Sequence, residues 1–143
     1  MNKTIQREAI LKVLKNGIAH PSAEDVYISL KKRLPQLSLA TVYRNLEQMA
    51  INGTVKKISF NDKPARFDID TRRHFHIFCP VCGAVCNIEF ANFAAVNEQI
   101  NQKLSELKID DYCLYFIHIC DACRQELNDA EPPPKPKVLS MLD

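Results

Sequence analysis

The chain predicts an α+β fold, with a winged helix-turn-helix in its first half and a small α/β unit built around four cysteines in its second. Three features carry this reading. Three short helical periods run up to Gly53 and are followed by two strand-like runs around a turn. Strand, helix and strand periods then succeed one another between Val85 and Ile119. Two CxxC pairs, Cys79 with Cys82 and Cys120 with Cys123, bracket that second half. The division this implies is 1–70 for the winged helix, 71–127 for the α/β unit and 128–143 for a tail.

The first helix is expected from about Ile5 to Asn16, with Thr4 as N-cap. Ile5, Ala9, Val13 and Leu14 lie near a 3.6-residue period, and Gly17 stands where a C′ glycine belongs. The second starts at Ser22, with Asp25 three residues on completing a capping box. It carries Val26, Tyr27, Leu30 and Leu34 and stops before Pro35. The third starts at Ser38 and buries Val42, Leu46 and Met49, turning Thr41, Arg44, Asn45 and Gln48 outward. Val55 to Phe60 and Ala65 to Ile69 form a hairpin through Asn61-Asp62-Lys63-Pro64.

In the second half, Val85 to Phe90 reads as a strand. Phe93 to Leu107 reads as an amphipathic helix with Val96, Ile100, Leu104 and Leu107 on one side. Tyr112 to Ile119, rich in aromatic and β-branched residues, reads as a strand. From Asn128 onward, Pro132-Pro133-Pro134-Lys135-Pro136 precludes a helix or central strand, and the tail is expected to be disordered.

Hydrophobic content of 46% and charged content of 25% over 143 residues are those of a soluble globular protein. No apolar run is long enough to span a bilayer, and no signal-peptide core follows Met1. A cytoplasmic location is therefore expected, where CxxC pairs more often bind metal than form disulfides. The net charge of +2 conceals an asymmetry: residues 1–73 hold 14 Lys/Arg against 7 Asp/Glu, residues 74–143 hold 5 against 10. A basic first half suits an anionic partner, though a solvated charged surface explains the charge equally well by itself.

The helix-turn-helix pattern favours nucleic acid, because the second helix of that motif enters the major groove with its N-terminal residues. Here those are Ser38-Leu39-Ala40-Thr41-Val42-Tyr43-Arg44. Thr41, Tyr43 and Arg44 are the candidate DNA-contacting residues: Arg44 as a bidentate partner for guanine, Tyr43 for a thymine methyl or a phosphate. Tyr43 could instead pack in the core. Lys56, Lys57 and Lys63 on the hairpin are candidates for phosphate contacts, against the alternative of a solvated strand edge.

Two thiols separated by two residues can reach one ion, and two such pairs complete a tetrahedral S4 shell. Cys79, Cys82, Cys120 and Cys123 therefore predict a structural Zn2+ site. A thioredoxin-like redox pair would leave the second CxxC unexplained. A zinc enzyme would need an open coordination position and a general base, and the deaminase pattern of H-x-E with P-C-x-x-C is not present, so no enzymatic activity is expected. On an extended segment His74 and His76 face the same way and can present two imidazoles to a second ion. Taken singly, however, His20, His74 and His76 read more readily as surface or capping residues, and Asp68 as an ordinary acid. Cys86 and Cys113 read as buried apolar thiols.

His20-Pro21-Ser22-Ala23-Glu24-Asp25-Val26-Tyr27, Ser38-Leu39-Ala40-Thr41-Val42-Tyr43-Arg44-Asn45-Leu46, Arg66-Phe67-Asp68, His74-Phe75-His76 and both cysteine pairs occur in this order. Together, over about residues 4–124, they resemble the ferric uptake regulator family. The resemblance implies a metal-dependent repressor that binds double-stranded operator DNA as a homodimer, with a C-terminal dimerisation domain and no small-molecule substrate. It implies the same four cysteines as zinc ligands. It also makes His20, Asp68, His74 and His76 a regulatory site for Fe2+ or Mn2+, with Zn2+ as the alternative. A metal bridging these four would pin the two halves in the orientation that closes on DNA. The helix from Phe93 to Leu107 and its flanking strands are the expected dimer surface.

Where the family usually places a further carboxylate ligand this chain has Asn87, with Glu89 as a substitute after a local shift. Phe75 and Tyr112 replace residues that support an additional metal site in some members. Only three residues precede Thr4-Ile5-Gln6-Arg7, so the helix that often comes before this segment is missing from the sequence. The histidine pair around an aromatic residue, with Asp at 68, is most similar to the peroxide-responsive branch. In that branch iron-bound peroxide oxidises a ligand histidine, here His20 or His74. The alternatives are an iron- or zinc-uptake repressor, or a zinc-stabilised regulator whose second site does not sense.

Overall fold

The computed structural model describes residues 3–60, 62–89, 91–110, 112 and 114–127. The predicted tail, Asn61 of the hairpin turn, Phe90 at the expected strand end and Cys113 lie outside the described residues. Three helices come first: α1 (Lys3–Asn16), α2 (Ala23–Lys31) and α3 (Leu39–Ile51). Gly17 closes α1 by donating its N–H to the Val13 carbonyl at 2.7 Å. The predicted capping box is formed on both sides: Asp25 N–H donates to Ser22 Oγ, and Ser22 N–H donates to the Asp25 carboxylate. Ser22→Ala is expected to cost about 1 kcal/mol, read as a lower urea midpoint with unchanged slope. Ser38 caps α3 through the Thr41 N–H. α2 ends at Lys31, before Pro35, because the chain tightens into turn bonds from Arg33 and Leu34 to the Leu30 carbonyl.

Ile10, Leu14, Val26, Leu30, Val42, Leu46 and Met49 are buried where the three helices meet. Val55 and Phe67 join them from the hairpin β1 (Lys56–Phe60) and β2 (Lys63–Asp68), which pair antiparallel with an irregularity between Ile58 and Phe60. The same hairpin faces a second apolar cluster: Ile58 packs with Phe78 and Val85, and the Phe60 ring stacks on Phe78 at 3.6 Å. The wing therefore contributes side chains to two cores, one on each side of the expected boundary at residue 70.

The second half holds β3 (Phe75–Phe78), β4 (Val85–Ile88), α4 (Phe93–Glu106), β5 (Tyr115–Ile117) and α5 (Asp121–Glu126). The central strand is β3, antiparallel to β4 and parallel to β5. Two of these elements were not in the sequence reading. β3 coincides with the extended segment of His74 and His76, and α5 is a short helix with Cys120 at its N-cap position. The last strand is also shorter than Tyr112 to Ile119, because only Tyr115–Ile117 pairs with β3. No residue of α4 is buried, and Leu107, Ile109, Leu114, Phe116 and Ile117 are exposed. Among the described residues no helix is long and apolar enough to cross a membrane.

Candidate metal centres

Cys79 follows β3, and the next residues turn back so that Gly83 N–H reaches the Cys79 carbonyl and Cys79 N–H reaches the Ala84 carbonyl, both at 2.9 Å. Gly83 sits at φ +75°, a conformation that side chains disfavour, and this keeps the turn tight enough for Cys82 to face Cys79. On the other side Cys120 precedes α5 and Cys123 lies in its first turn, so one helical start presents both sulfurs. The four sulfurs lie within 4.8 Å of one another. Cys82 Sγ and Cys120 Sγ are 3.9 Å apart. A tetrahedral shell with Zn–S of about 2.3 Å requires about 3.8 Å between sulfurs, so the donor set fits zinc.

Burial pushes the Cys79 thiol up, but backbone N–H groups of Cys82, Cys120 and Val81 outweigh it and hold the pKa at about 6. Its Sγ accepts the Cys120 N–H at 3.4 Å. The neighbouring Cys120 sulfur, with burial, pushes Cys123 up to about 12. Cys79 is thus biased toward thiolate, while the Cys82 and Cys123 thiols are pushed up. Lys63, expected at a DNA phosphate, instead donates its ammonium to the Val81 carbonyl at 2.9 Å and ties the wing to this turn.

The second cluster is assembled by the start of α2 docking against β2. Phe67 N–H donates to the Pro21 carbonyl at 3.0 Å, Ser22 bridges Arg66, and the Arg66 guanidinium donates to the His20 carbonyl and to Asp25. This register sets His20 beside Asp68, 48 positions away in sequence. His20 takes φ +50°. Such a backbone costs on the order of 1–3 kcal/mol and persists where surrounding contacts over-determine it. β3 then brings His74 and His76 from the other side.

The Nε2 atoms of His20, His74 and His76 lie 3.1, 2.9 and 3.1 Å from the single oxygen Oδ2 of Asp68. His20, Asp68 and His76 are buried and His74 is half-buried. Burial raises the Asp68 carboxyl, but the bonds from His20, His76 and the Asp70 N–H prevail and hold it well below the usual carboxylate range. His74 Nδ1 lies 2.7 Å from the Arg72 carbonyl, which can only accept, so Nδ1 donates to it and Nε2 is left to face the cluster. That Nε2 is buried without a hydrogen bond, although it is 2.9 Å from Asp68. An ion between this nitrogen and the carboxylate oxygen would satisfy both, and an N3O donor set suits a divalent transition ion.

Asn87 is the cross-strand partner of His76, so its amide belongs to the same face of the sheet, but it is solvent-exposed. Glu89 is exposed beyond the end of β4 and outside the cluster. Cys86 is an exposed thiol on β4, not the buried one expected. Its side chain follows the strand alternation away from Val85, which occupies the core.

On α3, Thr41 bonds Ser38, and Arg44 is exposed. Tyr43 is about one-third exposed rather than in the core, and its hydroxyl donates to Glu24 Oε1 at 2.5 Å. Lys57 pairs with Glu47 on the exposed face. Lys56 does not project from an open edge. It is half-buried, opposite Asp68 across the hairpin, and lines a cleft with Arg73, His74, His76, Tyr112 and Tyr115. The roles of Lys56 and of Glu24 were missed. The first follows from strand pairing with Asp68, which a register count could have revealed; the second follows from α2–α3 packing, which has no sequence signal.

A sequence model of the ferric uptake regulator family matches residues 1–117. The chain is 35% identical over 125 residues to the peroxide operon regulator of Bacillus subtilis, covering 87% of this chain and 86% of the relative. It is 32% identical over 125 residues to the peroxide-responsive repressor PerR of Staphylococcus epidermidis, covering 87% and 83%. The peroxide stress regulator of Campylobacter jejuni superposes with a TM-score of 0.68 at 30% identity, covering 85% of this chain and 90% of that one.

Proposed function

The chain belongs to the ferric uptake regulator family, and from that membership we propose a repressor that binds operator DNA as a homodimer under control of a divalent ion. The observation that carries this reading is the convergence of three imidazole nitrogens on one oxygen of Asp68. His20 precedes α2, Asp68 ends the wing, and His74 and His76 begin the sheet of the second half. An ion shared by all four ties the reading helix α3, through α2 and the wing, to that sheet. Thr41, Tyr43, Arg44 and Lys57 would meet DNA. Glu24 would fix the Tyr43 phenol, and the exposed apolar face of α4 and β5 would take a second copy. Residues 1–70 and 71–127 would act as the DNA-binding and dimerisation units, and Cys79, Cys82, Cys120 and Cys123 would hold Zn2+.

The names of the relatives favour peroxide as the signal. Iron at such a site supplies the electrons that reduce peroxide. His74, half-buried at the edge of the cluster, or His20 would take up the oxygen. In zinc-replete protein, operator affinity is expected to rise at least tenfold with Fe2+ or Mn2+. Hydrogen peroxide should then abolish it in the Fe2+ form alone, with 16 Da added to the peptide containing His20 or His74. Affinity that ignores metal would favour a zinc-stabilised regulator that does not sense. Metal-dependent affinity without the added mass would favour an uptake repressor.

A further inference from the structure

We infer that Glu24 decides how Tyr43 reads DNA: by accepting the phenol O–H, it reserves Tyr43 for a base edge and denies it to the phosphates. This deepens the repressor reading and rests on the DNA-binding role of α3. Glu24 is thus a positioning residue that sets specificity through Tyr43.

Glu24 is the second residue of α2, and α2 is anchored at this end. Ser22 and Asp25 close its capping box, and the Arg66 guanidinium of β2 donates to Asp25. Val26 and Leu30 of α2 share a buried core with Val42 and Leu46 of α3. The Glu24 carboxylate is therefore placed firmly beside α3, and its Oε1 accepts the Tyr43 hydroxyl at 2.5 Å. Oε2 is buried with no hydrogen-bond partner among the described residues, so the carboxylate is directed at Tyr43. The Tyr43 bond, helped by the Glu24 N–H in the first turn of α2, holds the Glu24 carboxyl below its ordinary value. The same bond raises the phenol. Both shifts keep the proton on Tyr43 and the charge on Glu24.

This arrangement separates the two partners that a groove-facing tyrosine can take. A phenol has one proton to donate, and a phosphate oxygen can only accept. The phosphate would need the proton that Glu24 already holds. It would also stand within about 5 Å of the Glu24 carboxylate, where like charges repel. A base edge asks for neither. A thymine methyl packs on the ring, and the amino group of adenine or cytosine donates to the phenol oxygen, whose lone pairs stay free. Tyr43 is about one-third exposed, so part of its side chain is open to such a contact. A negative charge near DNA weakens binding to every sequence alike. Here that cost is offset by selectivity, because base contacts specify where phosphate contacts only position.

The test uses the zinc-replete full-length chain loaded with Mn2+ and two duplexes: one enriched from a random pool by the wild-type chain, and one with the same bases in shuffled order. The readout is the ratio of the two affinities at fixed salt. Glu24→Ala should lower that ratio at least tenfold, since two copies each lose a base contact worth about fivefold or more. Its affinity for the shuffled duplex should rise, because a negative charge near the phosphates is gone. Glu24→Gln, which keeps an acceptor of the same shape, should lower the ratio by less, and it serves if the alanine variant folds poorly. In the DNA-free protein, the ionisation of Tyr43, identified by its loss in Tyr43→Phe, should move to lower pH in both Glu24 variants. A ratio unchanged in the Glu24 variants, with both affinities raised alike, would overturn the role of Glu24 and leave the DNA-binding reading standing. A Tyr43 ionisation that stays in place would do the same. Failure of the wild-type chain to enrich any sequence would overturn the DNA-binding reading itself.

Discussion

Cys123→Ser is expected to release the zinc and unfold the end of the second half, the largest effect of any single substitution outside the helical core. Among the described residues, the apolar cluster around the four sulfurs has only Cys79, Ile119 and Cys123 buried, with Val81, Ala84, Cys120 and Leu127 partly covered. Burial of Ile119 is worth about 1.5–3 kcal/mol. Structural zinc, by contrast, contributes on the order of 10–16 kcal/mol in small zinc-dependent folds. Zinc, rather than the packing, would therefore hold α5 against the end of β3. Elemental analysis should fall from one zinc per chain to none, and proteolysis should cut near Asp121–Glu126. Cys86→Ser, at an exposed thiol outside the cluster, should change neither. Full zinc content with an unchanged melt in Cys123→Ser would refute the assignment. A pH series adds a sign: Cys79 is held at about 6, below a free thiol at about 8.5. Its thiolate contributes fully above the free value, and the contribution is lost as pH falls through 6, so zinc should be retained at pH 8 and shed progressively below 6.

Asp68→Asn should abolish metal-dependent DNA binding while leaving a folded chain. The amide is isosteric and still accepts the Asp70 N–H that Asp68 Oδ1 takes at 2.9 Å, but it removes the only negative charge among the four donors. Loss of an orienting partner at a metal site costs about 10–100-fold in affinity, and a charged ligand should cost at least the upper figure. Metal-free stability moves as well. The folded-state carboxyl is held below its ordinary value, so its favourable contribution is present above about pH 3.9 and disappears only in strong acid. At neutral pH the substitution should then cost about 1–3 kcal/mol, read in a urea titration of the metal-free protein. Calorimetric Mn2+ affinity within threefold of the wild-type chain would rule out Asp68 as a ligand.

The local devices were legible because each depends on neighbours in sequence. Ser22 with Asp25 predicts its capping box from spacing alone, and the CxxC pairs predict a shared ion because two residues are the gap that lets both sulfurs turn inward. The apolar stripes of α1, α2 and α3 predict their core for the same reason. β3 was hidden because Phe75 to Phe78 is four residues long and its ligand role masked its strand pattern. α5 was hidden because six residues show too little periodicity, and Cys120 at its N-cap position makes no side-chain capping bond that its residue type would announce.

The lysines on the wing mark where sequence reading stops. Lys56, Lys57 and Lys63 look alike on a strand-like run, yet one lines the metal cleft, one pairs with Glu47 and one bonds the Val81 carbonyl. Their fates depend on which element lies across from each, and that is a tertiary property. The sequence by itself determined the helix-turn-helix order, the wing and the two cysteine pairs, because residue type, spacing and periodicity are local quantities, whereas the set His20, Asp68, His74 and His76 was implied only by the family resemblance. Only the tertiary structure decided that His20 and Asp68 meet His74 and His76. It did so through the bonds joining Pro21 and Ser22 to Arg66 and Phe67, contacts that link residues more than 40 positions apart and leave no period in the chain.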